Sequence, residues 1–484
     1  MSSHPRLNPA WRAPFVRAAI LIAFFTIHVV WHVPRASAQG VVGGVYIDPA
    51  GMLRESSTLS QADLAAKLQD AAATEEPSQP VSAASPLRKI SLRRLERAVA
   101  ELHAAGKAVP PEVRYLAGVT AITNVFVYPE TGDVVLAGPA EGWEVSPAGD
   151  VIGRQSRRPV LQLDDLIVAL RYAFADGPAD SFLGCSIEPT EPGLKSHAAY
   201  VRGLGTIDRA QLPQVLRGME EAIGPQEIYV YGIEGSNRFA LQMIAADYRL
   251  KRISLAHDPS PSSKVPSYLE LAEKTVTGGP QRQHRWWFVG HYDAIRHTAD
   301  RLAFEFEGNG LKVETAPTQP KKAAPRNAPK PTRAATMFAE LATKHFPELA
   351  EKVPAFAELQ NLVGLAVAAV LVRQQAEAGL EQNAVAGGDD IVEPAPARRY
   401  RPAHFLNEKR CPIARFDLPK QCPPLANGRY VKDQFWMFSV SGGVEINPES
   451  LVSGDSLKLV VGTKLTETRG KSGAPDNGAP WWWD

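Results

Sequence analysis

This chain lacks the residue patterns that identify the common enzyme classes. The zinc patterns H-E-x-x-H and H-x-H-x-D-H are absent, and no serine stands in a G-x-S-x-G pattern. Charge of one sign is not in excess either, since 53 Lys and Arg stand against 52 Asp and Glu. A strongly basic nucleic-acid-binding protein is therefore disfavoured. With 44% hydrophobic and 22% charged residues, the chain has an ordinary globular composition and is long enough for two or three domains.

The first 38 residues have the pattern of a secretory signal peptide. Three arginines and no acid precede the apolar run 18–30, and the A-S-A sequence at 36–38 is an A-x-A cleavage site. The alternative is a retained membrane anchor, but crossing a bilayer takes about 20 apolar residues. Cleavage before Gln39 would remove four arginines and change the formal net charge from +1 to −3. We expect a periplasmic, envelope-associated or extracellular protein without a transmembrane segment in the mature chain.

Four stretches rich in Ala, Pro, Gly, Ser or charge lack apolar periodicity and are typical of linkers. They divide the chain into a signal peptide (1–38), an N-terminal hairpin and helix (39–71), a linker (72–86), a mixed α/β core (87–314), a Pro/Lys-rich linker (315–333), a helical block packing on the core (334–383), a linker (384–399), a C-terminal module (400–465) and a flexible tail (466–484).

Turn residues and apolar spacing together predict the fold class. The stretches GVYIDPAGMLR, NVFVYPETGDVVLAG and GWEVSPAGDVIGR each place a Pro-x-x-Gly turn between two β-rich runs, which is typical of hairpins. A fourth hairpin is predicted at 304–314, with Gly308-Asn309-Gly310 at the bend. Helices are predicted where apolar residues recur every three or four positions: 92–102, 161–175, 212–223 and 238–248. We expect an α/β to α+β mixed fold, with several β-hairpins interleaved with helices, followed by a helical block and a small C-terminal module.

The segment 334–383 is the most helical part of the chain. Its second half carries apolar residues so densely that the helix is predicted to be buried nearly all round. The apolar run Leu362 to Val372 resembles a membrane span but is too short for one. We therefore predict a core helix.

The best cluster of side chains able to perform acid–base or metal chemistry is HRWWFVGHYDAIRHTAD. If its second half is helical, Asp293, His297 and Asp300 share one face, which suits a metal or a His–carboxylate pair, and His291 lies close by. The alternative is a set of ordinary surface and core histidines. Ser236 follows a predicted strand and precedes a helix, which is the placement of a nucleophile elbow, but an N-cap or turn residue occupies the same place.

Cys411 and Cys422 lie close together in a Pro-rich stretch, and in an oxidising compartment they are candidates for a disulfide that would stabilise by about 3 kcal/mol. The alternative is two unpaired thiols. The stretch offers no neighbouring C-x-x-C or His pair to complete a zinc site, so no metal or cofactor is predicted. Cys185 lies in an apolar-leaning run and is predicted to be a buried strand residue.

The chain ends in three tryptophans behind a linker-like stretch. Trp481, Trp482 and Trp483 follow the last predicted strand, so we expect them to be exposed and to contact a partner. The alternative is that the tail docks on the protein's own surface.

Several sequence blocks resemble an uncharacterised family of bacterial secreted proteins of the planctomycete type, whose domain has no assigned function. The blocks lie between 87 and 375: YPETGDVVLAGPAEGW (128–143), RPVLQLDD (158–165), IAADYRLKRISL (244–255), VPSYLEL (265–271), RWWF (285–288) and FAELQNLVGLAVAA (356–369). The resemblance implies one large core with decorated ends. It implies no activity, cofactor or catalytic residue.

Two functional hypotheses remain from the sequence. The first is a non-catalytic binding or scaffold protein of the cell envelope or extracellular space, whose partner is an unknown protein or an envelope polymer. The second is a hydrolase of unrecognised type, including a metal-dependent one, that uses His291, Asp293 and His297, or Ser236. The second hypothesis requires these groups to come within about 3 Å of one another in one cleft.

Overall fold

The structure is a computed structural model of the chain. It describes residues 43–48, 50–56, 78–147, 149–175, 182–233, 236–275, 284–317, 330–385, 399–431, 434–470 and 480–484. The chain divides into two units, Met1–Ala38 and Gln39–Asp484, and all of the described residues belong to the second. The predicted signal peptide, residues 72–77 of the linker 72–86, and the linker residues 318–329 and 386–398 lie outside the described residues.

Helices and strands alternate along the described chain, which confirms a mixed α+β fold. The helices are α1 (Gln79–Ser82), α2 (Leu92–Ala104), α3 (Pro111–Arg114), α4 (Leu163–Ala173), α5 (Glu191–Gly203), α6 (Leu212–Ile223), α7 (Arg238–Ser254), α8 (Tyr268–Thr275), α9 (Arg333–Lys344), α10 (Phe346–Lys352), α11 (Pro354–Val385), α12 (Pro448–Leu451) and α13 (Lys464–Arg469). The strands are β1 (Val45–Ile47), β2 (Leu53–Glu55), β3 (Ser85–Ser91), β4 (Asn124–Tyr128), β5 (Asp133–Ala140), β6 (Trp143–Val145), β7 (Val151–Gly153), β8 (Leu183–Pro189), β9 (Gln226–Tyr231), β10 (His284–Gly290), β11 (Ala294–His297), β12 (Ala303–Glu307), β13 (Leu311–Pro317), β14 (Gln421–Cys422), β15 (Ala426–Val431), β16 (Gln434–Ile446), β17 (Leu457–Leu459) and β18 (Trp482–Trp483).

Two seven-stranded sheets organise the fold. The first has the order β13-β10-β16-β8-β9-β14, with β15 paired to β16, and the second has the order β17-β11-β12-β4-β5-β3-β18. Neighbouring strands are antiparallel except for the pairs β10–β16 and β11–β17. Strands from the C-terminal part therefore enter both sheets, so residues on either side of the predicted linkers share one hydrophobic core.

The strand β16 lies at the centre of the first sheet because two glycines let its neighbours approach. A Cβ on Gly442 would lie 1.7 Å from the carbonyl oxygen of Trp286 in β10. A Cβ on Gly443 would lie 1.7 Å from the carbonyl oxygen of Cys185 in β8. Any larger residue would push one of these strands away, since Gly is the only residue without a Cβ.

Local signals predicted the helices well. In α2 the side chain of Ser91 accepts a hydrogen bond from the backbone N–H of Arg94 at 3.1 Å, which caps the first turn. Leu92, Leu95 and Val99 are buried on one face, and Gly106 follows the helix with a φ of 63°. The helix α6 has the predicted bounds, and α7 is longer than predicted at its C-terminal end.

The helix α11 forms the centre of the core, as its composition predicted. It packs against α4 and α7. The part Pro354–Ala378 is long and apolar enough to cross a membrane by length and composition, but 94% of its most apolar window is buried inside the protein. The helix extends beyond the apolar run Leu362 to Val372 at both ends, and its burial is typical of a core helix.

Three of the four predicted hairpins form, namely β1–β2, β4–β5 and β6–β7. The fourth prediction, at 304–314, is wrong. The chain does turn at Gly308 and Gly310, which have positive φ, but β12 pairs with β11 and β4 whereas β13 pairs with β10. The turn therefore carries the chain from one sheet to the other.

Candidate functional site

The predicted histidine and aspartate cluster is not helical. Residues 294–297 form the strand β11, so Asp293 and His297 are separated by roughly 13 Å along an extended chain and do not share a helix face. His291 Nε2 lies 3.9 Å from Asp293 Oδ1, and both side chains are exposed. His297 Nδ1 lies 2.9 Å from the carbonyl oxygen of Thr298, which fixes a hydrogen on that nitrogen. The arrangement predicted from a helical spacing is therefore wrong.

Ser236 has the position of a turn residue. It is exposed, and its backbone carbonyl accepts a hydrogen bond from Phe416 N at 3.4 Å. The N-cap of α7 is the next residue, Asn237, whose side chain accepts from Ala240 N at 2.9 Å. Among the described residues, no histidine forms a hydrogen bond with Ser236. The interpretation of Ser236 as a nucleophile therefore gains no support.

The predicted disulfide between Cys411 and Cys422 is wrong, because both thiols are free. Cys422 lies in β14 and pairs with Gln226 of β9, whereas the carbonyl of Cys411 accepts a hydrogen bond from Arg171 of α4. Burial raises the pKa of Cys411 to about 11 and that of Cys422 to about 12. Cys185 is buried in β8, as predicted, and burial raises its pKa well above the usual value. All three thiols are therefore protonated and poorly reactive.

The prediction that the C-terminal tryptophans are exposed is also wrong. Trp482 and Trp483 form β18, which pairs with β3, and they are half-buried. Trp481 is buried and belongs to the main hydrophobic core. The tail therefore adds a strand to the edge of the second sheet, which was the alternative considered from the sequence.

A groove lies at one end of the second sheet. It has a volume of 290 Å³ and continues into a more open region of 430 Å³. Its walls come from five separate parts of the chain: the β4–β5 turn, the turn 300–302 between β11 and β12, the C-terminal half of α11, residues 399–400, and the region 452–457 before β17. Sites for small ligands have volumes of about 300–1,000 Å³, so the groove suits a short ligand segment.

Arg301 stands at the junction of the two parts of the groove. It lines both of them, its side chain is exposed, and its backbone has a φ of 55°. This left-handed conformation costs a non-glycine residue about 1–2 kcal/mol. The turn is held by Asp300, whose Oδ1 accepts hydrogen bonds from Thr298 Oγ1 at 2.5 Å and from Leu302 N at 3.0 Å. Although partial burial acts to raise it, the pKa of Asp300 is lowered by these hydrogen bonds, so the carboxylate stays ionised.

Opposite this turn, α11 presents amide groups to the groove. Gln374 and Gln375 line it together with Arg399, and Glu377 lines its open part. The aromatic rings of Tyr128 and Tyr400 also border the groove but are buried in its walls. The groove therefore has largely apolar walls, and its rim carries cationic, anionic and amide groups that can form hydrogen bonds with a ligand. No motif in the sequence points to these residues, because distant segments bring them together.

A buried charge cluster lies elsewhere on α11. Arg238 of α7 forms ion pairs with Asp165 of α4 and Glu358 of α11. Burial raises the pKa of Asp165 to about 6 and that of Glu358 to about 7, although Arg238 acts in the opposite direction on both. Glu358 and Gln374 are separated by roughly 24 Å along the helix. The cluster therefore joins three helices and does not form part of the groove.

Replacing Glu358 with glutamine is expected to change how stability depends on pH. In the folded state the pKa of Glu358 is raised from 4.5 to about 7, so the folded protein holds this proton more tightly than the unfolded chain does. Stability from this group is therefore lost as pH rises through that window. Urea unfolding of both proteins gives the difference in their free energies of unfolding, wild type minus Glu358→Gln. This difference should fall as the pH rises from 4.5 to about 7 and should stay constant at higher pH. A difference that rises with pH would contradict the raised pKa.

The comparisons with known proteins assign no activity to the chain. Residues 185–268, from β8 to the start of α8, match the family described as Protein of unknown function (DUF1598). The expectation of a domain without assigned function is thus confirmed for this segment, which is narrower than the range 87–375 of the resemblance. No curated protein and no solved structure matches the chain. The matched segment contains Ser236 and Arg238 but no residue that lines the groove.

Proposed function

We propose that this is an exported, non-catalytic binding protein of the cell envelope or extracellular space, and that the groove at Arg301 holds a segment of an envelope polymer. Export is supported by the N-terminal sequence pattern. The proposal of binding is carried by the groove, which has a strained, exposed arginine at the junction of its two parts and other polar groups on its rim. Backbone strain in a folded protein tends to occur at binding and catalytic sites, where the surrounding structure holds it.

The character of the rim favours a polymer rich in hydroxyl and other polar groups over a protein surface. Protein–protein hot spots are enriched in accessible Trp, Tyr and Arg within desolvated pockets. Here the tyrosines are buried in the walls, and the rim carries amide, guanidinium and carboxylate groups. The hydrolase hypothesis gains no support, since Asp293 and His297 lie apart along a strand and Ser236 serves as a turn residue.

Replacing Arg301 with glycine is expected to weaken polymer binding while leaving the fold intact. The substitution removes the guanidinium, and it relieves the left-handed strain, so the free energy of unfolding should stay unchanged or rise by up to about 1 kcal/mol. Binding can be measured by co-sedimentation of the purified protein with insoluble envelope polysaccharide isolated from the host. We expect at least a tenfold weaker association, equivalent to about 1.4 kcal/mol.

Arg157 provides a matched control for this experiment. It is also an exposed arginine with a positive φ, of 59°, and it pairs with Glu144 away from the groove. Arg157→Gly should therefore have a similar effect on stability and none on binding. Equal binding by the two variants would show that the groove is not the site. Release of soluble fragments from the polysaccharide would instead support the hydrolase hypothesis.

A further inference from the structure

Three side chains of metal-binding type meet where the last turn of α2 contacts the segment 399–420. They are His103 of α2 together with His404 and Cys411, and one ligand atom from each lies within 4.8 Å of the others. We infer that His103, His404 and Cys411 form a zinc-binding site. The two histidines are half-buried and the cysteine is buried, so the site is accessible to an ion from one side.

The distances are close to those of a tetrahedral zinc site. Zn–N bonds of about 2.0–2.1 Å and Zn–S bonds of about 2.3 Å place two nitrogen ligands about 3.4 Å apart and a nitrogen and a sulfur about 3.6 Å apart. His103 Nδ1 and His404 Nε2 are 3.2 Å apart. The sulfur lies within 4.8 Å of both nitrogens, so it completes the set after an adjustment of at most about 1.2 Å. The carbonyl oxygen of Arg410 lies 3.1 Å from His103 Nδ1 and is an oxygen within reach of the fourth position.

The surrounding structure holds the two ligands of the C-terminal segment in place. Glu96 Oε1 accepts hydrogen bonds from the backbone N–H of His404 at 2.6 Å and of Phe405 at 3.3 Å. Arg171 donates to the carbonyl oxygen of Phe405 at 2.9 Å and also to that of Cys411. Such supporting contacts orient ligands before the metal binds and increase its affinity. In addition, His103 lies in the last turn of its helix, where the helix dipole favours a cation.

The chemistry of the ligands selects the metal. Two imidazoles and one thiolate suit zinc, whereas Mg²⁺ and Ca²⁺ prefer oxygen ligands. A histidine binds zinc through a neutral imidazole ring, and a cysteine must lose its thiol proton to bind as a thiolate. Formation of the Zn–S bond therefore releases one proton to solvent.

No C-x-x-C or His pair stands beside Cys411 and Cys422, so the sequence near these cysteines predicts no zinc site. His103 lies 301 residues from His404 in the chain, so no local spacing could show the site. The site would fasten α2 to the segment 399–420. Its existence does not depend on the groove or on polymer binding.

The test uses the purified protein, stripped of metal with a chelator and titrated calorimetrically with Zn²⁺ alone. We expect one Zn²⁺ per chain, release of about one proton as measured in buffers of different ionisation enthalpy, and a higher Tm with Zn²⁺. Co²⁺ in place of Zn²⁺ should show a thiolate-to-cobalt absorption band. Cys411→Ser and His103→Gln should each weaken binding by about 100-fold or more. His103→Gln changes a half-buried side chain and should fold even if Cys411→Ser does not.

Two control variants complete the experiment. Cys422→Ala removes a buried thiol of the neighbouring strand β14, and His297→Gln removes a histidine outside the site, so both should bind Zn²⁺ as the wild type does. The inference is overturned if the wild type binds no stoichiometric Zn²⁺. It is equally overturned if Cys411→Ser and His103→Gln bind as tightly as the controls, or if the Co²⁺ complex lacks the thiolate band.

Discussion

Replacing Arg238 with methionine is expected to lower the free energy of unfolding by about 3–5 kcal/mol. The guanidinium is buried and pairs with Asp165 and Glu358, both of which are buried as well. With its amide oxygen facing the guanidinium, Gln162 also accepts hydrogen bonds from it at 3.2 Å. Removing the only positive charge of this cluster leaves two carboxyl groups that must be protonated or buried as unpaired charges. Urea unfolding at pH 7 measures the effect.

A surface arginine provides the comparison for this variant. Arg296 pairs with Glu305 and Glu307, but its side chain is 44% exposed, so Arg296→Met should cost less than about 1 kcal/mol. Adding Glu358→Gln to Arg238→Met should recover part of the loss, because one fewer carboxyl group is left unpaired. If Arg238→Met costs no more than Arg296→Met, the two carboxyl groups do not depend on the arginine.

Local patterns predicted the helices and the tight turns because the responsible interactions lie within a few residues. The spacing of Leu92, Leu95 and Val99 defines the buried face of α2 whatever it packs against. The pairing of strands was less predictable, since partners are chosen by the whole fold. The residues at 304–314 illustrate this, because the turn forms but each strand finds a partner in a different sheet.

The candidate site was even harder to predict from the sequence than the pairing of the strands. Arg301 lies in the ordinary stretch TADRLAF, and neither a glycine nor a motif marks its left-handed conformation. The spacing of Asp293, His297 and Asp300 suits one face of a helix, whereas strand pairing with β12 and β17 decides the structure of this segment. Tertiary contacts override local spacing in short segments of this kind. The groove and the His103–His404 pair are both assembled from segments far apart in the chain, which a single sequence cannot bring together.

Deleting residues 481–484 is expected to destabilise the protein by about 5 kcal/mol, equivalent to about 5 °C in Tm for a chain of this length. Trp481 is 9% exposed and lies in the main core, and its carbonyl accepts a hydrogen bond from Ser91 N at 2.9 Å. Losing a buried tryptophan alone costs about 3–5 kcal/mol. The other two tryptophans cover the edge strand β3, so their loss also exposes unpaired backbone groups.

Arg88 adds to this expected loss. Its side chain is fully buried, its Nε lies 2.8 Å from Asp484 Oδ1, and the guanidinium is 4.5 Å from the ring centre of Trp482. Without the tail, the arginine keeps hydrogen bonds to three backbone carbonyls but has lost its carboxylate partner. Asp484→Asn alone, which retains the tryptophans, should cost about 1 kcal/mol because the carboxylate is partly exposed.

The deletion also distinguishes docking from partner contact. Val461 is 95% exposed, so Val461→Ala is a C-terminal control that should change the free energy of unfolding by less than about 0.5 kcal/mol. Thermal unfolding of the purified proteins gives the stability, and fractionation of cells gives the amount retained in the envelope. A deletion variant with wild-type Tm and reduced envelope retention would restore the partner-contact hypothesis. A lower Tm with unchanged retention shows that the tryptophans act within the fold, because β18 and Asp484 complete the edge of the second sheet.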